Sequence, residues 1–458
     1  MAKASQKKKL LMPEEKLDEA LIPNTEEPYS VPLNWCWTKM GVVAKWGSGG
    51  TPSRKNDDYY NGTIPWVKTG ELNDDYIWET EEHISEQAIA DSSAKLFPIN
   101  TIIIAMYGAT IGKVGILGLE ATTNQACACG VSSTALLYKY LFYYARSQKE
   151  AFIGMGKGGA QPNISQEIIK EHPIPLPPLT EQQRIVDRIE SLFAKLDEAK
   201  EKAQAVVYGF EDRKAAILHK AFTGELTKEW RNNHPDKSWS AKPWGDFISK
   251  IEAGKNWKAE KRPPKDNEFG IVKVSAVTWG SFNEYESKTC MDSSQWNPKT
   301  QIREGDFLFS RANTIQLVGN CVIVDQITKR LMLSDKILRF SFDDSVNQYF
   351  VLYYTRSRLY RNQVEILASG NQEGMRNISQ NNLKRIQFPV PFIKEQNEIV
   401  KILDEYLSQE HEANEIAKTI IDQIDIMKKS ILARAFRGEL GTNDPNDESA
   451  IELLRRIL

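Results

Sequence analysis

Apolar residues recur at three- and four-residue steps along two long stretches of the chain. Val186, Ile189, Phe193, Leu196, Ala203, Val207, Phe210 and Ile217 mark one stretch; Ile399, Ile402, Tyr406, Ala413, Ile416, Ile420, Met427 and Ile431 mark the other. That rhythm predicts amphipathic helices of coiled-coil type. Pro175-Leu176-Pro177 and Pro389-Val390-Pro391 stand just before them, and such Pro-x-Pro segments cannot lie inside a helix. Thr180 or Lys394 comes next, then Glu181 or Glu395, acids placed where a helix N-terminus favours them. Gly224 and Gly438 suit the residue that ends a helix. About 42 residues at 1.5 Å each make a rod of roughly 63 Å. A single apolar stripe must be buried. The simplest partner is the other rod, as an antiparallel two-helix coil, and packing of each rod on its own globular neighbour is the alternative.

Between the rods the pattern changes. Residues 30–175 and 240–390 are rich in β-branched and aromatic residues punctuated by Gly, Pro and Asn, as in Ile64-Pro65-Trp66-Val67, Thr101-Ile102-Ile103-Ile104 and Phe269-Gly270-Ile271-Val272. These read as strands.

The two halves repeat. Residues 163–226 align with 377–440 without a gap, with 23 identities in 64 positions. The match runs from Asn163-Ile164-Ser165-Gln166 and Asn377-Ile378-Ser379-Gln380 to Ala221-Phe222-Thr223-Gly224-Glu225-Leu226 and Ala435-Phe436-Arg437-Gly438-Glu439-Leu440. The blocks echo each other more weakly, through Tyr143-Tyr144-Ala145-Arg146-Ser147 and Tyr353-Tyr354-Thr355-Arg356-Ser357, and through Val67-Lys68 and Val272-Lys273. A repeat on this scale sets the organisation: a flexible N-terminal arm (1–29), a first block (30–179), a first long helix (180–226), a linker (227–239), a second block (240–393), a second long helix (394–440) and a tail (441–458) of open role. Similar rods imply one task done twice. Divergent blocks imply two related but different tasks.

Composition narrows the class. With 458 residues, 41% hydrophobic and 10% aromatic, the chain has enough apolar material for several cores and is not a disordered polypeptide. The net charge of −2 hides an imbalance: residues 241–393 carry 22 basic and 16 acidic side chains, residues 394–458 carry 9 and 14. The cluster at Lys3 and Lys7-Lys8-Lys9 reads as part of the flexible arm. Five scattered cysteines (36, 127, 129, 290, 321) without a CxxC pair suit reduced thiols in the cytoplasm, not a disulfide frame. No run approaches the roughly 18 apolar residues of a membrane helix.

Catalytic motifs are weak. Gly154-Met155-Gly156-Lys157-Gly158-Gly159 fits G-x-G-x-x-G but follows a predicted helix where a dinucleotide site needs a strand. Gly108-Ala109-Thr110-Ile111-Gly112-Lys113-Val114 is one residue short of a P-loop and lacks its hydroxyl, so it reads as a turn between strands. Glu198-Ala199-Lys200 and Glu286-Ser287-Lys288 lack the further carboxylate a nuclease site requires. Cys127-Ala128-Cys129 reads as buried small residues on one strand face. Metal-ligand spacing is absent and nothing calls for catalysis.

Nucleic-acid signals are better. Ser48-Gly49-Gly50-Thr51-Pro52-Ser53-Arg54-Lys55 could offer amides, hydroxyls and cations to phosphates. Lys255, Lys258, Lys261, Arg262 and Lys265 crowd eleven residues around Trp257, a composition suited to a DNA backbone. Ser310-Arg311-Ala312-Asn313-Thr314-Ile315-Gln316 gathers Arg311, Asn313 and Gln316, side-chain types that read guanine and adenine edges. Lys68, Lys113, Lys157 and Lys273 complete the candidate set. A scaffold that binds only proteins is the competing reading. It accounts for the rods but not for the basic stretch at 255–265.

Taken together, Gly49-Gly50-Thr51-Pro52-Ser53, Ile64-Pro65-Trp66-Val67, Asn163-Ile164-Ser165-Gln166, Pro175-Leu176-Pro177-Pro178, Glu181-Gln182-Gln183-Arg184-Ile185-Val186 and Ala221-Phe222-Thr223-Gly224-Glu225-Leu226, with their second-half echoes, resemble the specificity subunit of a type I restriction–modification system. The resemblance covers about residues 30–440, and departs where Glu252-Ala253-Gly254-Lys255-Asn256 replaces the Gly-Gly-Thr-Pro form. It implies an α+β protein: two mixed α/β target recognition domains joined by two long antiparallel coiled-coil helices in a pseudo-twofold internal repeat. It further implies that each domain reads one half of a split, asymmetric site in double-stranded DNA, and that the rods set the unread gap. Two adenine-N6 methyltransferase subunits would dock on the rod regions, and restriction/motor subunits would complete the complex. S-adenosylmethionine, ATP and Mg would sit on those partners, with no cofactor and no catalysis in this chain.

Overall fold

The computed structural model describes residues 12–156, 163–234, 239–278, 280–372 and 375–458. It separates into two compact units. One contains the chain up to Lys202 together with Ile420–Leu458; the other is Ala203–Thr419.

Each unit holds one block, and the blocks share a strand order. In the first, a sheet runs Ala44–Ser48, Cys127–Ser132, Ile102–Ala105, Val114–Leu117, Asp75–Ile77, beside a smaller sheet of Glu82–Ile84, Ile64–Val67 and Thr122–Thr123. In the second, Ile248–Ala253, Ile337–Phe342, Phe307–Ser310 and Cys321–Ile323 repeat the first four positions. There the smaller sheet is Ala259–Glu260, Ser287–Cys290, Gly270–Val272 and Leu331–Met332. Ile102-Ile103-Ile104-Ala105 is fully buried, which is why that strand reads as an unbroken apolar run. Cys127 and Cys129 are buried in the neighbouring strand, and all five cysteines are free thiols. Both Pro-x-Pro segments form strands of two-stranded ribbons, Pro173–Leu176 against Cys36–Lys39 and Gln387–Val390 against Ser240–Pro243, where proline removes no interior ladder bond.

The second long helix is continuous over Ile393–Ala435, 43 residues. The first is interrupted once: Leu179–Tyr208 and Phe210–Phe222 are joined at Gly209. Helical bonds continue across the joint, Gly209 N–H to Ala205 O and Arg213 N–H to Gly209 O, both 3.0 Å. Arg213 folds back over the glycine to donate to the Val206 carbonyl at 2.9 Å. A Cβ at position 209 would lie 2.6 Å from that guanidinium.

The helices run antiparallel within each unit. Asp197 meets Lys428 at 2.5 Å and Lys200 meets Asp425 at 3.2 Å in the first; Arg213 meets Glu410 at 2.8 Å in the second. Exposed pairs of this kind contribute little energy, so apolar packing carries the pairing. On the first long stretch Val186, Ile189, Phe193 and Ala203 of the predicted stripe are buried, Leu196, Val207, Phe210 and Ile217 are half-buried, and Leu218 takes the buried place near the end. On the second the phase is corrected. Ile399, Leu403, Ala417, Ile424 and Leu432 are buried, whereas Tyr406, Ile416, Ile420 and Met427 are exposed. That helix has apolar residues on two faces, and spacing alone does not say which one packs.

The ends of the helices seat in the blocks crosswise in sequence. Phe222, which closes the first stretch, packs on Phe350 and Tyr354 of the second unit. Phe436, which closes the second, packs on Tyr140 and Tyr144 of the first. Each is buried, and burial of a phenylalanine stabilises by about 2–3 kcal/mol.

The N-terminal arm is also corrected. Pro13–Ala20 is a helix with Leu17 and Ala20 buried, and the tail helix Ala450–Arg455 belongs to the same core. Pro13 at the first helical position with Glu14 and Glu15 behind it favours helix locally. Its apolar partner lies more than 400 residues away, beyond the reach of local patterning. Residues 1–11, with the lysine cluster, lie outside the described residues.

Candidate nucleic-acid interface

The glycine loop closes against its own block. Ser48 ends a strand. The Gly49 amide bonds to the Cys127 carbonyl at 3.4 Å and the Gly50 amide to that of Thr123 at 2.9 Å, while the Gly50 carbonyl accepts from the Trp66 indole at 3.0 Å. A Cβ at Gly49 would fall 2.0 Å from the Thr123 carbonyl oxygen. These glycines therefore permit close chain approach, and their amides are not available to phosphates. Thr51 bonds Gln125, and the Ser53 hydroxyl accepts from the Lys55 amide at 3.4 Å.

Four of the candidate cations are already paired. Arg54 meets Glu82 at 2.6 Å and stacks over Tyr60 at 4.1 Å. Lys68 meets Glu81 at 2.7 Å and Glu82 at 3.0 Å. Hydrogen bonds from Arg54 hold the Glu82 carboxyl below its ordinary value. In the second unit Lys273, which follows the corresponding strand, meets Glu286 at 3.4 Å. Arg262 is held by Glu260 and Glu268, at 2.8 and 2.7 Å, and this contact draws the Glu268 carboxyl down to about 2. Lys55, Lys113, Lys255, Lys258 and Lys261 make no ion pair among the described residues; Lys255 lies 5.7 Å above the Trp257 ring. Lys157 lies outside the described residues.

Arg311, Asn313 and Gln316 come together on one loop. Asn313 donates to Thr278 at 3.5 Å, and its carboxamide oxygen accepts from the Thr314 amide at 2.9 Å; Gln316 is exposed. This loop has a counterpart in the first unit. The Ile378 amide bonds the Arg311 carbonyl at 3.0 Å just as Ile164 bonds Met106 at 2.9 Å, and Gly319 bonds Ser310 at 2.8 Å as Gly112 bonds Ala105 at 3.0 Å. Tyr107–Ile111, within and just before the stretch that reads as a plain turn, thus occupies the place of Ala312–Val318, with Met106 at the position of Arg311. Tyr107 is exposed there. Beside the second loop, Arg376 pairs in register with Asn313, and the Lys336 carbonyl accepts from the Arg311 amide at 3.0 Å. Sequence reading passes over Tyr107, Arg376 and Lys336. Only the in-register Asn-Ile-Ser-Gln repeat could have pointed to the loops that bond to it.

Fold and interface define the class: two related, unequal reading modules held on a repeated helical frame. The chain matches the model of the type I restriction modification DNA specificity domain twice, over residues 32–207 and 237–425, and it belongs to that family. It is a DNA-specificity subunit of a type I restriction–modification system, a recognition subunit and not an enzyme. It is similar to the EcoKI specificity subunit of Escherichia coli (strain K12), 23% identical over 84% of this chain and 83% of that protein. The StySPI specificity subunit of Salmonella potsdam is 23% identical over 90% of each. The crystal structure of the HsdS subunit from Thermoanaerobacter tengcongensis has the same fold, with a TM-score of 0.65 at 19% identity over 91% of this chain and all of that one.

Proposed function

We propose that the chain reads a bipartite, asymmetric site in double-stranded DNA, one half with residues 30–179 and the other with 240–393. The carrying observation is the pair of equivalent loops, 107–111 and 312–318, on identical backbone anchors but with unrelated side chains. One scaffold that presents two different sets of edges to the major groove reads two different half-sites, so the whole site is not a palindrome. The paired helices act as a spacer. Exchanging residues 30–175 for the block of another such subunit should change one half of the methylated sequence and leave the other half and the gap intact. Methylated-adenine mapping in a host carrying the subunit and its methyltransferase reads this directly, and alteration of both halves would refute it. A change of about one helical turn in the rods should alter the gap and neither half-site.

Two adenine-N6 methyltransferase subunits dock on the helical regions in this reading, and restriction/motor subunits join them in the cytoplasm. Supporting this, Tyr406, Ile416, Ile420 and Met427 form an exposed apolar face on the second long helix, the kind of surface a partner helix covers. S-adenosylmethionine, ATP and Mg serve those partners. In this reading Lys55, Lys113, Lys255, Lys258 and Lys261 meet phosphates without breaking an ion pair, whereas Arg54, Lys68, Arg262 and Lys273 must exchange a carboxylate for DNA. The loop set Arg311, Asn313 and Gln316 is assigned to bases.

A further inference from the structure

A cleft of about 460 Å³ in the second unit lies between the helix Phe210–Phe222 and the helices Gln348–Thr355 and Arg358–Leu367. A cleft of about 370 Å³ occurs at the corresponding place in the first unit. The correspondence is residue by residue: Glu211, Lys214 and Leu218 line one cleft, and Asp425, Lys428 and Leu432, their counterparts in the repeat, line the other. Arg356-Ser357 and Arg146-Ser147 of the Tyr-Tyr-x-Arg-Ser motif supply the opposite walls.

We infer that these twin clefts grip DNA backbone phosphates, one beside each base-reading loop; the inference rests on the DNA-reading function proposed above. Three observations lead there. Each cleft adjoins its loop. Arg361, on the wall of the second, donates to the carbonyls of Ile315 and Gln316 at 3.0 and 3.3 Å. In the first, the backbone of Lys149 lies against Gly112, where a Cβ would sit 3.1 Å away. Cations also remain after internal pairing. Glu365 is held by Arg361 and Glu211 by Lys214, which leaves the exposed Arg356 and Arg358 without a carboxylate partner among the described residues. In the first unit Asp74, Glu150 and Asp425 pair with Arg146, Lys429 and Lys200, leaving Lys149.

The third observation is the repetition itself. Phosphate contacts position a protein whatever the sequence, and base contacts specify. The backbone offers the same groups at both halves of a site while the base edges differ. A protein with two unequal readers should therefore repeat its phosphate clamps and diversify its loops, which is the pattern here.

The experiment is a salt titration of duplex binding with the full-length chain, alone and assembled with its methyltransferase, on a duplex of random sequence. Arg358→Gln and Lys149→Gln should each flatten the dependence of log K on log salt by about 0.9, the increment for one phosphate contact, and the double variant by both increments. Arg356→Gln provides a second exposed probe of the same cleft, and the tail variant Arg455→Gln should leave the slope unchanged. If wild type binds with a steep salt dependence and the cleft variants keep it, the clefts are not clamps, although the DNA-reading function stands. A slope change in one unit only overturns the twin assignment. Weakened methyltransferase assembly at an unchanged slope overturns it in favour of an acidic protein partner. Salt-insensitive wild-type binding would sink the DNA-reading function itself, a result distinct from failure of the clefts.

Discussion

The two units solve the same burial problem with different parts of the chain. Each long helix begins with a buried Glu-Gln pair, Glu181-Gln182 and Glu395-Gln396. The glutamines are used alike: Gln182 accepts from the Leu137 amide and donates to Ala135 and Pro177 carbonyls, while Gln396 accepts from Asn347 and donates to Ser345 and Pro391. Each glutamate accepts from an indole, Trp35 at 2.7 Å and Trp239 at 3.0 Å. Their remaining partners differ. Glu395 is closed by the segment just after the first helical stretch, through Thr227 and Arg231, both at 2.6 Å. Glu181 is closed by the C-terminal tail, through Asn443 at 2.8 Å and Thr442 at 3.3 Å. The tail, whose sequence leaves its role open, is thus the structural counterpart of the linker. One buried carboxylate has a guanidinium and the other only neutral donors.

That contrast can be broken most forcefully at the tail. Deleting residues 441–458 removes Ala450 and Leu454 from the first core, takes away the buried Leu453 and strips Asp447 from Arg184. At about 1.5–3 kcal/mol per buried leucine, the first unit should lose roughly 5 kcal/mol. Hydrogen exchange should show its strands opening while those of the second unit stay protected; equal loosening of both would refute the equivalence of tail and linker.

Next in size is acid sensitivity. His172 is buried, and burial lowers its pKa to about 4, whereas Ile386 takes its place in the repeat and cannot titrate. The unfolded chain takes up a proton near 6.5, before the folded one does, so stability is complete above that pH and falls as pH drops from about 6.5 towards 4. Over that window the first unit should lose about 3 kcal/mol. Denaturant unfolding at stepped pH should show the slope in wild type and its disappearance in His172→Ile.

The smallest effects sharpen the carboxylate comparison. Arg231→Met leaves Glu395 buried without its cation and should cost the second unit about 2 kcal/mol, less than a fully buried pair because Arg231 is partly exposed. Asn443→Ala removes one neutral donor from Glu181 and should cost about 1 kcal/mol. Calorimetry of the two variants would undo the distinction if the order were reversed.

Much of this architecture is legible in the chain. The constant-register repeat, the Pro-x-Pro strands and the two long helices follow from local chemistry acting over short distances. What escapes has a physical cause in each case. The second helix carries apolar residues on two faces, so its buried phase depends on a partner far away in sequence. The interruption at Gly209 goes with Arg213, whose guanidinium bonds both the nearby Val206 carbonyl and the distant Glu410, and the latter contact is invisible to local patterning. At the interface, residue type marks cations but not their pairing: Arg54 and Arg262 look free in sequence and are bound to carboxylates in space. The loop at Tyr107 shows no chemistry of its own and gains meaning only from its counterpart.

The tail's position has one more consequence, for synthesis. Lys16 donates to the backbone carbonyl of Leu458 at 2.8 Å, so the block made first waits for residues more than 400 positions downstream to leave the ribosome. Domains usually mature in the order of translation; here the second-made unit has all its parts before the earlier one. A nascent chain stalled near residue 440 would present a finished second reader beside a first one still lacking its seal.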